Sequence, residues 1–295
     1  MRIGIRLAIS GLVLASIMVS AIGVHILWWR TAEANSHALA DTINGQIVST
    51  VEKELATITT EARAAHTAIR TLFVQNVLET READKREFVF LSQLQSQQNI
   101  SWVAFGWPDG AFFAAHKLGD LGLEMMEIAP VDGAIKRRID QYGVVVGDIE
   151  FEKRRFDNTD YVVTDQEWYR SGMQADEPRW FNVSVHPVGS RPSIAYAGPI
   201  DVYQKRQGVL AIIIEYTRFA QFLSHLSVGK SGAAFILGRD ESAIAVMHRA
   251  LDEERTGTGL WARASVYDWP LASRMGRSFA ARSLALLAAT SQTIW

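Results

Sequence analysis

The feature that most constrains this chain lies at its start. From Leu7 to Trp29 the sequence LAISGLVLASIMVSAIGVHILWW runs about 23 residues without a formal charge. At ~1.5 Å rise per residue such a helix spans a hydrocarbon core of ~30 Å with some tilt. Arg2 and Arg6 precede the run, and Trp28 and Trp29 stand where an aromatic belt meets the far interface. The positive-inside tendency then puts the N-terminus in the cytoplasm and everything after Arg30 outside. The competing reading is a cleaved secretory signal, for which Ala32-Glu33-Ala34 offers an A-x-A-like site. The apolar core exceeds the ~7–15 residues of a signal h-region and ends in bulky tryptophans, which favours an uncleaved anchor. His25 sits at the outer interface and reads as neither ligand nor catalyst.

The rest must fold outside the bilayer, and 48% hydrophobic residues with 10% aromatics supply a core. Thirty basic against thirty-two acidic residues leave a net charge of −2, which gives no global attraction to nucleic acid. There is no cysteine, so disulfides, Cys-ligated zinc and thiol catalysis are excluded.

Beyond the anchor, Ile43, Ile47, Val51, Leu55, Ile58, Ala62, Ala65, Ile69 and Phe73 recur at three- and four-residue steps, with Gly45 the one internal breaker. That spacing predicts a long amphipathic helix over roughly 33–79, ~70 Å long, the length of a stalk; two shorter helices broken near Gly45 are the alternative. Charges from Arg81 to Glu87 predict a turn, and Phe88, Phe90, Leu91 and Leu94 seed a second helix. From Ile100 the period becomes strand-like. Ile100–Trp107 and Ala111–Leu118 flank the turn Pro108-Asp109-Gly110 and predict a hairpin. Further strands are expected at Val144–Phe151, Phe181–Val185, Ser193–Ala197 and Val209–Tyr216, with Gly198–Gly208 as a turn-forming stretch between the last two. Thr217–Leu226 reads as a short helix, and Ala233–Leu237 opens a second, smaller unit. Helices followed by a mostly antiparallel sheet make an α+β fold.

Few motifs carry chemistry. Gly229-Lys230-Ser231 suggests a phosphate loop, but Ser224 occupies the position of its first glycine and a helix precedes it where a strand is needed. The seven histidines are dispersed without an i,i+4 pair, which gives no metal site; His116 and His186 read as strand-face or core residues. No nucleophile elbow is present, so no catalytic residue and no cofactor are expected. The informative cluster is Asp165, Trp168, Tyr169 and Arg170, followed by Trp180, Tyr196 and Asp201. Aromatic rings can wall a small pocket while Arg or a carboxylate fixes a solute's charge, though aromatics at this spacing are also ordinary core.

The order of these elements resembles the double Cache family of bacterial extracytoplasmic sensors. Trp168-Tyr169, the Tyr196–Asp201 region, Gly208-Val209-Leu210 and Gly229–Leu237 carry the resemblance, over roughly 33–247. It implies a cytoplasmic N-terminus (1–6), a transmembrane helix (7–29), a long stalk helix and second helix (30–98), a membrane-distal, PAS-like Cache sensor (99–227), an incomplete membrane-proximal Cache subdomain (228–272) and an aberrant tail (273–295). It also implies a bacterial inner-membrane location with a periplasmic sensor, a small-molecule ligand and a homodimer through the stalk. In the family's amino-acid-binding branch an Arg stands three residues before the Trp and a Tyr two residues earlier. This chain has Asp165 and Val163 there, and Ile213 where that branch has an amine-binding Asp. Asp165 instead suggests a cationic or polyol-like ligand. The stretch 86–120 is similar to the sensor regions of bacterial adenylate/guanylate cyclases, whose catalytic domain has no counterpart here. The change of composition near the C-terminus is expected of a truncated or frameshifted product. The sensor part of a diguanylate cyclase, histidine kinase or chemoreceptor, or a non-signalling membrane-anchored binding protein, is the alternative.

Overall fold

The computed structural model describes residues 2–119, 122–131, 134–145, 147–187, 190–226, 233–237 and 243–248. The chain divides into two units, Met1–Lys53 and Glu54–Trp295. The Gly229-Lys230-Ser231 motif and the 273–295 tail lie outside the described residues.

The first unit is helical and belongs to α1 (Arg2–Val74), which Gly45 does not interrupt. Its apolar side chains from Ile9 to Trp29 are exposed, and the helix is long and apolar enough to cross a membrane. An apolar surface of this size is costly in water and costs nothing in lipid.

In the second unit the same helix changes character. Ile58, Ala62, Ala65, Ile69 and Phe73 are all buried, the stripe that the spacing predicts. The helix ends at Val74, five residues short of the expected Glu79, where Asn76 takes a left-handed φ of 56°. α2 (Ala83–Ser96) starts inside the stretch expected to be a turn. Asp84 lies in its first turn and Glu82 pairs with Lys85 at 2.9 Å, so these charges support a helix start. Arg86 is not solvated either. It is buried, donates to the Thr80 carbonyl at 2.6 Å and lies 3.8 Å from the Phe113 ring.

Eight antiparallel strands follow: β1 (Trp102–Gly106), β2 (Phe112–Lys117), β3 (Gly122–Val131), β4 (Ala134–Val145), β5 (Asp148–Asn158), β6 (Arg179–Val185), β7 (Ser190–Val202) and β8 (Lys205–Glu215). They form one sheet in the order β5-β4-β3-β2-β1-β8-β7-β6, the expected α+β fold. α3 (Glu167–Gln174) lies between β5 and β6 in the chain, and α4 (Tyr216–Ser224) follows β8. A two-stranded sheet, β9 (Ala233–Leu237) and β10 (Ala243–His248), completes the described residues.

Two strand expectations need correction. Val144–Phe151 is not one strand: Gly147, at φ 90°, turns the chain between β4 and β5. Gly198–Gly208 is not a turn, because β7 and β8 run on until Tyr203 and Gln204, whose φ angles of 50° and 63° make a two-residue hairpin. The glycines serve packing instead. A Cβ on Gly208 would stand 2.1 Å from the Gly106 carbonyl, and one on Gly198 would stand 2.6 Å from the Cα of Pro178.

Candidate functional site

Alternation along the strands gives the large sheet two different faces. One carries Val103, Phe105, Phe113, Leu210, Ile212 and Ile214, on the side of α1 and α2; there Phe73 meets Phe105 at 5.4 Å and Phe90 meets Phe113 at 5.4 Å. The other face has small residues at its centre: Ala104, Ala114, Ala195, Ala197 and Ala211, from four adjacent strands. Trp168 and Tyr169 of α3 pack into the same cluster, with ring centroids 5.9 Å apart at 88°, beside Tyr161, Val163 and Met173. Close approach depends on Gly106, where a Cβ would lie 2.7 Å from a Val163 methyl and 2.8 Å from the Tyr169 ring. Burial pushes the Tyr161 and Tyr169 hydroxyls above the usual phenol range, so both stay neutral.

The seven residues singled out from the sequence do not share one compartment. Trp168 and Tyr169 are buried beneath α3, while Asp165, at the end of a short turn of 3-10 helix (Val163–Asp165), and Arg170 are exposed. Trp180 and Tyr196 are directly paired across β6 and β7, 5.1 Å apart, on the opposite face. There Tyr196 meets the His66 ring of α1 edge-on at 5.3 Å. They point away because their neighbours Ala195 and Ala197 point in, a consequence of the two-residue period. Asp201 is held by Arg206 at 3.0 and 3.1 Å, and Arg206 also donates to the Met173 carbonyl in α3. That pair ties the β7–β8 hairpin to the helix above the alanine hollow.

A second group, on the same face as the alanines, was not foreseen. Glu215 at the end of β8 accepts from Trp102 Nε1 at 2.9 Å, lies 3.3 Å from His116 Nε2 and is reached by Arg191 at 3.3 Å. Across His116, Nδ1 stands 3.7 Å from Glu124, which accepts from Gln141 and Arg155, each at 3.1 Å. Trp102 is stacked between His116 at 3.7 Å and His186 at 5.1 Å. Glu215, Glu124, His116 and His186 are all buried. Burial alone would raise both carboxyls, but hydrogen bonds and nearby cations outweigh it: Glu215 is held down at about 2, and Glu124 below the usual carboxylate range. His186 goes the other way. Burial lowers it to about 4 despite its bond to the Arg191 carbonyl at 3.0 Å, so it is neutral near pH 7.

The sheet curls over this face. Arg137 of β4 forms a two-pronged pair with Asp157 at 2.8 and 2.7 Å and also donates to the Pro187 carbonyl, in the hairpin beyond β6. Strands second and last in the sheet order are thereby joined across the cluster. Nothing local marked it, since Trp102, His116, Glu124 and Glu215 come from four strands up to 113 residues apart. The one signal is a polar residue at an inward position of an otherwise apolar strand, as in FFAAHK and KRQGVLAIIIE. Among the described residues, no group of three or more His, Asp and Glu side chains could hold a metal ion.

Solved structures with a similar course of chain can be set beside this geometry. One is the ligand-binding domain of the Campylobacter jejuni chemoreceptor Tlp3 in complex with 4-methylisoleucine, 14% identical, TM-score 0.47, over 75% of this chain and 72% of that one. Another is the ligand-binding domain of the Pseudomonas aeruginosa PAO1 amino-acid chemoreceptor PctC in complex with GABA, 14% identical, TM-score 0.43, over 71% and 74%. A third is that of the chemoreceptor PctB from the same organism, in complex with L-Arg, 12% identical, TM-score 0.40, over 68% and 62%. These neighbours are Cache-type sensory domains. No protein-family model and no curated protein matches the chain.

Proposed function

We propose that this chain is the extracytoplasmic small-molecule-sensing module of a bacterial inner-membrane receptor, anchored by one span and dimerising through α1. The observation that carries the reading is the division of labour between the two faces of one sheet. Two buried carboxylates, Glu215 and Glu124, with the His116 ring between them and the half-exposed Arg191 and Arg155 at their outer oxygens, occupy the curled face. Helix α1, which also bears the apolar run, packs on the other. Burying charges contributes little net stability, since the desolvation cost is comparable to the Coulomb gain. A cluster of this kind suits recognition of a charged solute better than it suits folding. Strands β7 and β8 present Ala195, Ala197 and Glu215 to the cluster side and Tyr196, Leu210 and Ile212 to the α1 side, so a solute that shifts these strands necessarily shifts the packing of α1.

The ligand fits as a small cation-bearing solute, its positive group taking the place of Arg191 or Arg155 on the buried carboxylates. The neighbours' ligands, amino acids and GABA, also carry an amine. The output reading favoured by the sequence is a nucleotide cyclase, of which this would be the input part; a diguanylate cyclase, histidine kinase or chemoreceptor tail would use the same module.

Isothermal calorimetry of the full chain in lipid nanodiscs, against panels of amines, polyols and organic acids, tests the ligand class. Amines should bind and Glu215→Gln should abolish the heat. Binding of organic acids alone, or amine binding indifferent to Glu215→Gln, would defeat it.

A further inference from the structure

The strand at one end of the sheet shows a pattern that ligand sensing does not require. β5 has 11 residues, no proline, and a side-chain row exposed from Glu150 to Phe156. No described strand pairs with its outer edge. Phe151 and Phe156 are 55% and 67% exposed. An open edge this long is a template for another strand unless its charges repel a newcomer.

Here the charges do the reverse. The first half of β5 carries Asp148, Glu150 and Glu152, and the second half carries Lys153, Arg154 and Arg155, with one further acid, Asp157, neutralised within the chain by Arg137. A bulge makes the segregation act on one face. The register against β4 shifts between Gln141 and Tyr142, so Glu152 is the extra residue. Its carboxylate lies 2.6 Å from where a Cβ on Gly143 would stand, on the face shared with Glu150, Lys153 and Arg155. On the other face Ile149 and Phe151 precede the bulge and Phe156 follows it.

We propose that β5 pairs antiparallel with β5 of a second copy of this chain, about a two-fold axis between Glu152 and Lys153. That register sets Glu150 against Arg155 and Glu152 against Lys153, each twice, and Ile149 against Phe156 on the other face; it also brings Asp148 opposite Asp157, whose charge Arg137 already holds at 2.7 and 2.8 Å. A parallel arrangement would set like charges together, and a two-fold axis normal to the sheet permits only the antiparallel one. Exposed ion pairs are individually weak, so the charges fix register and exclude other partners, while ladder hydrogen bonds and the covered phenylalanines supply the adhesion. Both copies carry the extra residue at the axis, which keeps the two sides in step. The contact joins two sensor sheets into one and is separate from any pairing of α1.

The chain has no cysteine, so an introduced one reports the contact cleanly. Lys153→Cys lies at the axis, whereas Asn158→Cys is about five residues from it, too far for a disulfide between copies. Full-length chain in nanodiscs, oxidised mildly and run without reductant, should give a covalent dimer for Lys153→Cys and several-fold less for Asn158→Cys. Adding Glu150→Lys, which opposes the partner's basic half, should lower the Lys153→Cys product several-fold. Equal cross-linking at the two positions, none at 153, or indifference to Glu150→Lys would each overturn the proposal; absence of product would mean that the charges shield the edge.

Discussion

Acid should loosen the α1–sheet packing through one side chain, His66. Burial lowers its pKa from 6.5 to about 4, with the Leu210 carbonyl pulling the other way and Arg70 adding to the depression. The folded chain therefore keeps His66 neutral where the unfolded chain already binds a proton. A folded pKa below the unfolded one makes the contribution complete above pH 6.5, with loss progressing as pH falls from 6.5 toward 4. Proton linkage with these two values costs about 2 kcal/mol between pH 7 and pH 5. For a unit of this size that corresponds to a fall in Tm of roughly 4–8 °C. His186 titrates in the same window, so His66→Leu should halve the acid slope and not abolish it. Glu215 does not interfere, since a carboxyl held at about 2 loses its contribution only between pH 4.5 and 2. The measurement is tryptophan-monitored thermal unfolding of the full chain in detergent at pH 7, 6 and 5, wild type against His66→Leu. Parallel curves for the two proteins would refute the argument, because they would mean that His66 already reaches solvent protons in the folded state.

Trp168→Ala should cost about 3–5 kcal/mol in urea unfolding, since the indole fills a hollow whose alanine walls cannot collapse into it. Gly208→Ala should fail to give folded protein at 37 °C, as judged by resistance to trypsin, because a Cβ 2.1 Å from a backbone carbonyl cannot be accommodated without separating β1 from β8. Protease added to spheroplasts should cleave the chain beyond Arg30 and leave the apolar run protected; full protection of residues after Arg30 would reverse the assigned topology.

What could be read from sequence divides along the reach of the signal. The apolar run and the Ile58–Phe73 stripe were legible because a helix repeats its pattern within a few residues. So was the β1–β2 hairpin, which has its own turn residues, Asp109 capping the Ala111 amide at 3.1 Å. β3 and the first part of β4 were not. Leu123, Glu124, Met125 and Met126 are all buried, so β3 shows no alternation, and Lys136, Arg137 and Arg138 in β4 look like a solvated loop. Gly198 and Gly208 suggested a turn, and only the strands that crowd them reveal their packing role. The candidate site was half visible. Trp168 and Tyr169 stand out as a pair, but Glu215 and His116 meet only because β1 lies between β2 and β8, a fact of topology that no local window contains.

The alanine hollow beneath α3 has a consequence for how this layer of the fold could be repacked. Its shape is set by the missing side-chain atoms of four strands, whereas its contents come from one eight-residue helix. Altering what α3 inserts would change the filling while every ladder bond of the floor stays in place. A different fit could then be made by swapping the stopper, with the mould left untouched.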